Sequence, residues 1–224
     1  MSAALFAARP VALAAQDPRP HAFLAQFALA NMAAVALATA AWRQGWVDRL
    51  LDGDSSRLGL AILATFTVGL GLATRAAGSL SRELDAARAA RPQPDTVAGR
   101  YLRAVTMTAP DRRAGLDASL KLAVASRIAP VRAIAGYLVL LGLIGTVLGF
   151  IIALDGVDPA RAGDVAEVGR MVATLVDGMG VALNTTLIGA ILNIWLMVDY
   201  RLLEGGAVRL LTLVLEHGAG HADA

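Results

Sequence analysis

A chain of 224 residues that is 57% hydrophobic and 17% charged, with no cysteine, departs from soluble globular composition, which runs nearer 45–50% apolar and about 25% charged. The excess apolar surface must face lipid, and the missing cysteines exclude disulfide scaffolds, thiolate nucleophiles, iron–sulfur clusters and cysteine-based zinc sites. A net charge of +2 is too small to indicate a nucleic-acid partner.

In chain order, residues 1–21 lack a basic region followed by a clean apolar core, and Pro10, Pro18 and Pro20 interrupt them. They read as an interfacial segment lying on the membrane rather than as a cleavable signal peptide. Crossing about 30 Å of hydrocarbon takes roughly 20 helical residues. Four uncharged runs meet that need: Ala22 to Trp42, Leu58 to Thr74, Ala133 to Leu154 and Gly178 to Val198. The second, at 17 residues, is the shortest. All four are rich in Ala, Leu and Gly without strand-like alternation, so helices are the structure that satisfies their backbone in lipid. The expected class is an all-α membrane protein with four transmembrane helices and amphipathic cytoplasmic helices.

Charge in the connections gives direction. Arg75 to Arg132 holds eleven basic residues against five acidic, Arg43 to Arg57 three against three, and Asp155 to Asp177 two against five. The basic connection is expected to be cytoplasmic, which puts both termini inside. Trp42 and Trp46 at one end, and Tyr137, Trp195 and Tyr200 at the other, fit interfacial belts. The chain thus divides into an interfacial segment (1–21), spans one and two (22–74), a basic cytoplasmic loop (75–132), spans three and four (133–198) and a cytoplasmic helical tail (199–224). Within the loop, Arg75 to Arg91 continues span two as a helix up to Pro92-Gln93-Pro94, and Asp111 to Arg127 is a second amphipathic stretch. Arg82, Glu83, Arg88 and Arg91 read most simply as a solvated face; the functional alternative is a surface on which another protein docks.

The four spans contain no Asp, Glu, Lys, Arg or His. Proton carriers relay through an intramembrane ionisable group, so this chain either moves no ions or borrows the carboxylate from a partner. It offers no Ser/His/Asp set, no metal-ligand cluster and no phosphate-cradling glycine loop, so neither an enzyme nor a cofactor or metal site is expected. His217 and His221 stand four residues apart, but in a glycine-rich terminus where fraying outweighs metal binding.

Small and polar residues nonetheless form a pattern in the last two spans. Gly142, Gly145, Thr146 and Gly149 draw one stripe along span three, and Gly178, Ala182, Thr185, Thr186, Gly189 and Asn193 occupy one broad face of span four. Gly142, Gly145, Gly149, Ala182 and Gly189 suit close helix packing. Thr146 and Thr186 each lie eight residues from the outer ends of their spans, roughly 12 Å deep, and are expected to be level. Such a hydroxyl pair can bond a mobile carboxyl group or line a hydrated path; packing alone is the other reading, and both stay open on spacing.

These residues carry a resemblance. Leu141-Gly142-Leu143-Ile144-Gly145-Thr146-Val147-Leu148-Gly149-Phe150, followed about thirty residues later by Gly178-Met179-Gly180-Val181-Ala182-Leu183-Asn184-Thr185-Thr186-Leu187-Ile188-Gly189, resembles the MotA/TolQ/ExbB proton-channel family. The resemblance covers roughly Ala133 to Tyr200. It implies a bacterial inner-membrane subunit that forms a pentameric ring around single-span helices of a MotB/TolR/ExbD-like dimer. That partner would bring the aspartate this chain lacks, protons would pass along the ring interior, and rotation of ring against partner would be the output. It further implies that Thr146, Thr185 and Thr186 line the ion path. Four spans are closer to the MotA arrangement than to the three-span TolQ/ExbB one.

Overall fold

The computed structural model describes residues 22–48, 57–88, 95–107, 112–157 and 163–222, with side chains as far as Gly218. The segment 1–21, Arg91, the Pro92-Gln93-Pro94 break and the side chain of His221 lie outside the described part. Among the described residues there are five helices of more than four residues: α1 (Ala22–Arg43), α2 (Leu58–Arg88), α3 (Val97–Met107), α4 (Arg113–Asp155) and α5 (Val165–Ala222). No strand occurs among the described residues. Four of the helices, all but α3, are long and apolar enough to cross a membrane.

The lengths follow from the composition. At 1.5 Å per residue, α4 with 43 residues is about 65 Å long and α5 with 58 about 87 Å. Each is therefore long enough to cross a bilayer and extend well beyond it. The basic connection is thus not a loop: α2 runs on to Arg88, α3 follows, and α4 begins at Arg113. The acidic connection is shorter than expected because α5 starts at Val165. There the Asp164 side chain accepts the Ala166 N–H at 2.9 Å and caps the first turn. The two stretches read separately as Asp111–Arg127 and Ala133–Leu154 are one helix running through Pro130. A proline removes one backbone hydrogen bond and clashes with the preceding turn. Pro130 and Ser126, whose carbonyl it leaves unbonded, are both exposed on the outside of the bundle. Helix α1 stops at Gly45, whose φ of 73° suits glycine and whose N–H reaches the Trp42 carbonyl at 2.8 Å.

The long helices pack along continuous apolar stripes. Ile62, Phe66, Ala73, Ala77, Leu80 and Leu84 of α2 face Val131, Ala135 and Leu138 of α4 and Leu196, Leu203 and Leu210 of α5. Helices α4 and α5 run antiparallel, and α2 runs parallel to α5. Gly69 lies against Leu196 and Ile134, and Leu80 lies at Gly206. That register brings Arg75 and Arg201 to one level, where the Arg132 guanidinium sits 5.8 Å over the Tyr200 ring. All three arginines are exposed, a cationic girdle of the kind that marks a membrane boundary by snorkelling.

Helix α1 coincides with the first span read from the sequence. Phe23 lies against Gly206, beyond the girdle. The first turns of α1 therefore pack on the basic-side extension of α5, while the whole of Ala22–Arg43 is apolar and long enough to cross a membrane.

Candidate functional site

The seam between α4 and α5 is built by glycine. A Cβ added to Gly149 would fall 2.5 Å from both the Ala182 nitrogen and the Gly178 carbonyl oxygen. One at Gly189 would fall 2.7 Å from the Leu138 carbonyl oxygen, and one at Gly142 would fall 3.2 Å from the Thr186 Cα. At Gly145 the added atom would lie 2.5 Å from the Thr185 Cβ. Contacts this short mean backbone against backbone, which in lipid supplies the dispersion energy that holds helices together. The stripes read from spacing thus meet each other face to face.

The threonines divide into two kinds. Thr185 is fully buried in the seam, its methyl and hydroxyl lodged over Gly145. Its hydroxyl donates back to its own helix, to the Val181 carbonyl at 2.8 Å and that of Ala182 at 3.3 Å. This residue, grouped with the other two as path-lining, occupies a packing position in the single chain. Thr186 is exposed, and its hydroxyl crosses the seam to the Gly142 carbonyl at 3.0 Å. Thr146 is partly exposed and donates to Leu143 in its own helix at 2.6 Å.

The expected level pairing of Thr146 with Thr186 is corrected by register. Gly178 falls between Gly149 and Ala153 rather than at Leu154, which sets Thr186 level with Gly142. Thr146 then stands one helical turn, about 6 Å, further out. The two still share a flank. On antiparallel helices one step past a seam residue, from Gly145 to Thr146 and from Thr185 to Thr186, rotates both side chains by about 100° to the same side of the seam.

The docking candidates on α2 do not act alike. Glu83 is turned inward: it accepts the Val97 N–H at 2.8 Å, capping α3, and its other oxygen stands 3.6 Å from Arg127 of α4. It ties three helices together. Arg82 is exposed and donates to the Gly78 carbonyl at 3.2 Å, while Arg88 pairs with Asp85 at 3.8 Å. Beside Glu83's cap, Tyr101 of α3 donates its hydroxyl to Asp117 of α4. Burial pushes the Tyr101 phenol up to about 12, the hydrogen bond and charge of Asp117 add to the rise, and Arg113 opposes it.

One cluster had no counterpart in the sequence reading. Asp199, one residue past the drawn end of span four, is 1% exposed and accepts from the Asn31 side-chain amide of α1 at 2.7 Å. Trp195 donates its indole N–H to the Asn31 carbonyl oxygen at 3.0 Å and stacks, tilted, on Phe66. The signal was Asn31 itself, since an amide inside an apolar span needs a partner.

An open groove of about 920 Å³ between α4 and α5 is floored by Ile128, Gly136 and Leu140 and edged by Lys121, Arg132 and Glu204. It lies on the basic side, away from the threonines. No group of acids and histidines among the described residues is placed to hold a metal ion.

Compared with known proteins, residues 112–214 match the MotA/TolQ/ExbB proton channel family. The matched stretch takes in α4 and most of α5, including the whole seam. No curated protein and no solved structure matches the chain.

Proposed function

We propose that this chain, with four helices long and apolar enough to span a membrane and residues 112–214 matching the MotA/TolQ/ExbB proton channel family, is the ring-forming subunit of an inner-membrane motor driven by the proton-motive force. Five copies would surround a MotB/TolR/ExbD-like dimer, with both termini and the basic helical layer in the cytoplasm. The observation that carries this reading is the flank of the seam. Thr146 and Thr186 edge it, and residues 133–154 and 178–198 present no Asp, Glu, Lys, Arg or His. A hydroxyl can both donate and accept, so two of them on one flank can pass a proton to and from a carboxyl group that the partner brings. A wall with no charge of its own leaves that carboxyl free to load and discharge as it moves.

The test is proton uptake by vesicles holding this chain together with its single-span partner. Thr146→Val with Thr186→Val should abolish uptake while the complex still assembles; full uptake in the double variant contradicts the path. A second reading, a non-conducting scaffold, draws on the burial of Thr185 and the backbone contacts at Gly149 and Gly189. It makes both exposed threonines dispensable, so the same experiment separates the two.

A further inference from the structure

Asp199 is the only buried aspartate among the described residues. Its Oδ1 accepts from the Asn31 Nδ2 at 2.7 Å, and its Oδ2 is buried with no hydrogen-bond partner. The orientation of the Asn31 amide is fixed independently. The indole N–H of Trp195 can only donate, so the Asn31 atom 3.0 Å from it is the oxygen. The amide nitrogen then faces Asp199 and also donates to the Phe27 carbonyl at 3.0 Å. One amide N–H is all that the carboxyl receives.

The surrounding elements supply no countercharge. Helix α1 has no ionisable residue before Arg43, and α2 has none between Leu58 and Thr74. The nearest charged groups along the packed helices are Arg75 on α2, Arg132 on α4, and Arg201 and Glu204 on α5, and all four are exposed. Arg132 is engaged over the Tyr200 ring, and Glu204 accepts from the Tyr200 hydroxyl at 3.4 Å. A buried carboxylate without a cation or a full set of donors is costly, and such a group neutralises instead.

We propose that Asp199 is a proton-binding site belonging to this chain itself, its Oδ2 taking a proton from water on the basic side while Oδ1 stays on the Asn31 amide. The step is a simple addition: carboxylate plus proton gives the neutral acid, with no other bond made or broken. The site lies fourteen residues, about 21 Å, along α5 from Thr185. It is therefore separate from the threonine flank and does not depend on the proposed function. On its basic side α1 packs through Phe23, which lies against Gly206, and Phe27, the only buried side chains of that helix.

The experiment is an infrared pH-difference spectrum of the full chain in phospholipid vesicles. The wild type should gain the carbonyl stretch of a protonated acid as the pH is lowered. Asp199→Asn should lose that band, and Asn31→Leu should shift it by removing the hydrogen bond to Oδ1. Should Asp199→Asn fail to fold, wild-type protein carrying carboxyl-labelled aspartate decides, since the band must then move with the isotope. No band in the wild type, a band unchanged in Asp199→Asn, or a band insensitive to the aspartate label would overturn the proposal.

Discussion

Gly145 and Thr185 occupy complementary positions: the side chain of one fills the space that the other leaves empty, with only 2.5 Å between the Thr185 Cβ and where a Gly145 Cβ would stand. Because Thr185 has no free surface to move into, Gly145→Ala should push α4 and α5 apart and cost roughly 1–3 kcal/mol by overpacking. Thr185→Gly alone should also destabilise, by opening a hole. Combined, the two changes should cost less than their sum, with a coupling of about 1 kcal/mol or more. Reversible unfolding in lipid, measured as a double-mutant cycle, checks this.

Thr186→Val removes the hydrogen bond to Gly142 that crosses the seam. In membrane proteins such bonds average about 0.6 kcal/mol, so the loss of stability should be small. Thr146 donates only within its own helix, and Thr146→Val should leave stability unchanged within about 0.5 kcal/mol. A marked stability loss in either valine variant would mean that the threonine packs rather than lines a path. Unfolding of each single variant separates the outcomes before any transport is measured.

Glu83 holds α3 by its N-terminal N–H and α4 through Arg127. At 15% exposure its carboxylate is screened less than a surface ion. Glu83→Ala should therefore free the start of α3 and cost about 2 kcal/mol, in the range for a charge-assisted hydrogen bond. Limited proteolysis should then cut within residues 95–107, which stay protected in the wild type. Arg82→Ala, on the exposed side of the same turn, should change nothing in this assay.

Tyr101 gives the basic-side helical layer a pH limit. Its phenol is raised from 10.0 to about 12 by burial, with the bond to Asp117 adding. The folded state thus favours the neutral phenol more than the unfolded chain does. The stability this confers is complete below about pH 10 and is lost as pH climbs towards 12. Packing of α3 should loosen across that window, seen as rising proteolysis of residues 95–107 with pH. Tyr101→Phe should show a weaker attachment at neutral pH and no further loss in the window.

The spans were legible because uncharged apolar runs of membrane length have few other uses, and the glycine stripes because a helix repeats every 3.6 residues. The stripe on α5 contained both Thr185 and Thr186, however, and spacing cannot say which of two adjacent residues enters a seam. That depends on the rotation of α5 about its axis, which Gly145 and Gly149 fix from the other helix. The unbroken α4 was hidden because the uncharged run begins only after Arg132, whereas the helix continues through Pro130, whose ring is exposed. Asp199 was missed for a different reason. A hydropathy boundary drawn at Val198 placed it outside the membrane, and its partner Asn31 is 168 positions away, a contact that only the packing of α1 creates.

The most direct measurement is proton flux into sealed vesicles containing this chain alone, compared with vesicles containing it together with its single-span, aspartate-bearing partner. Vesicles of the chain alone should stay proton-tight, and flux should appear only when the partner is present. Equal flux with and without the partner, or none in either case, would contradict a ring wall that takes its titrating carboxyl from a second protein.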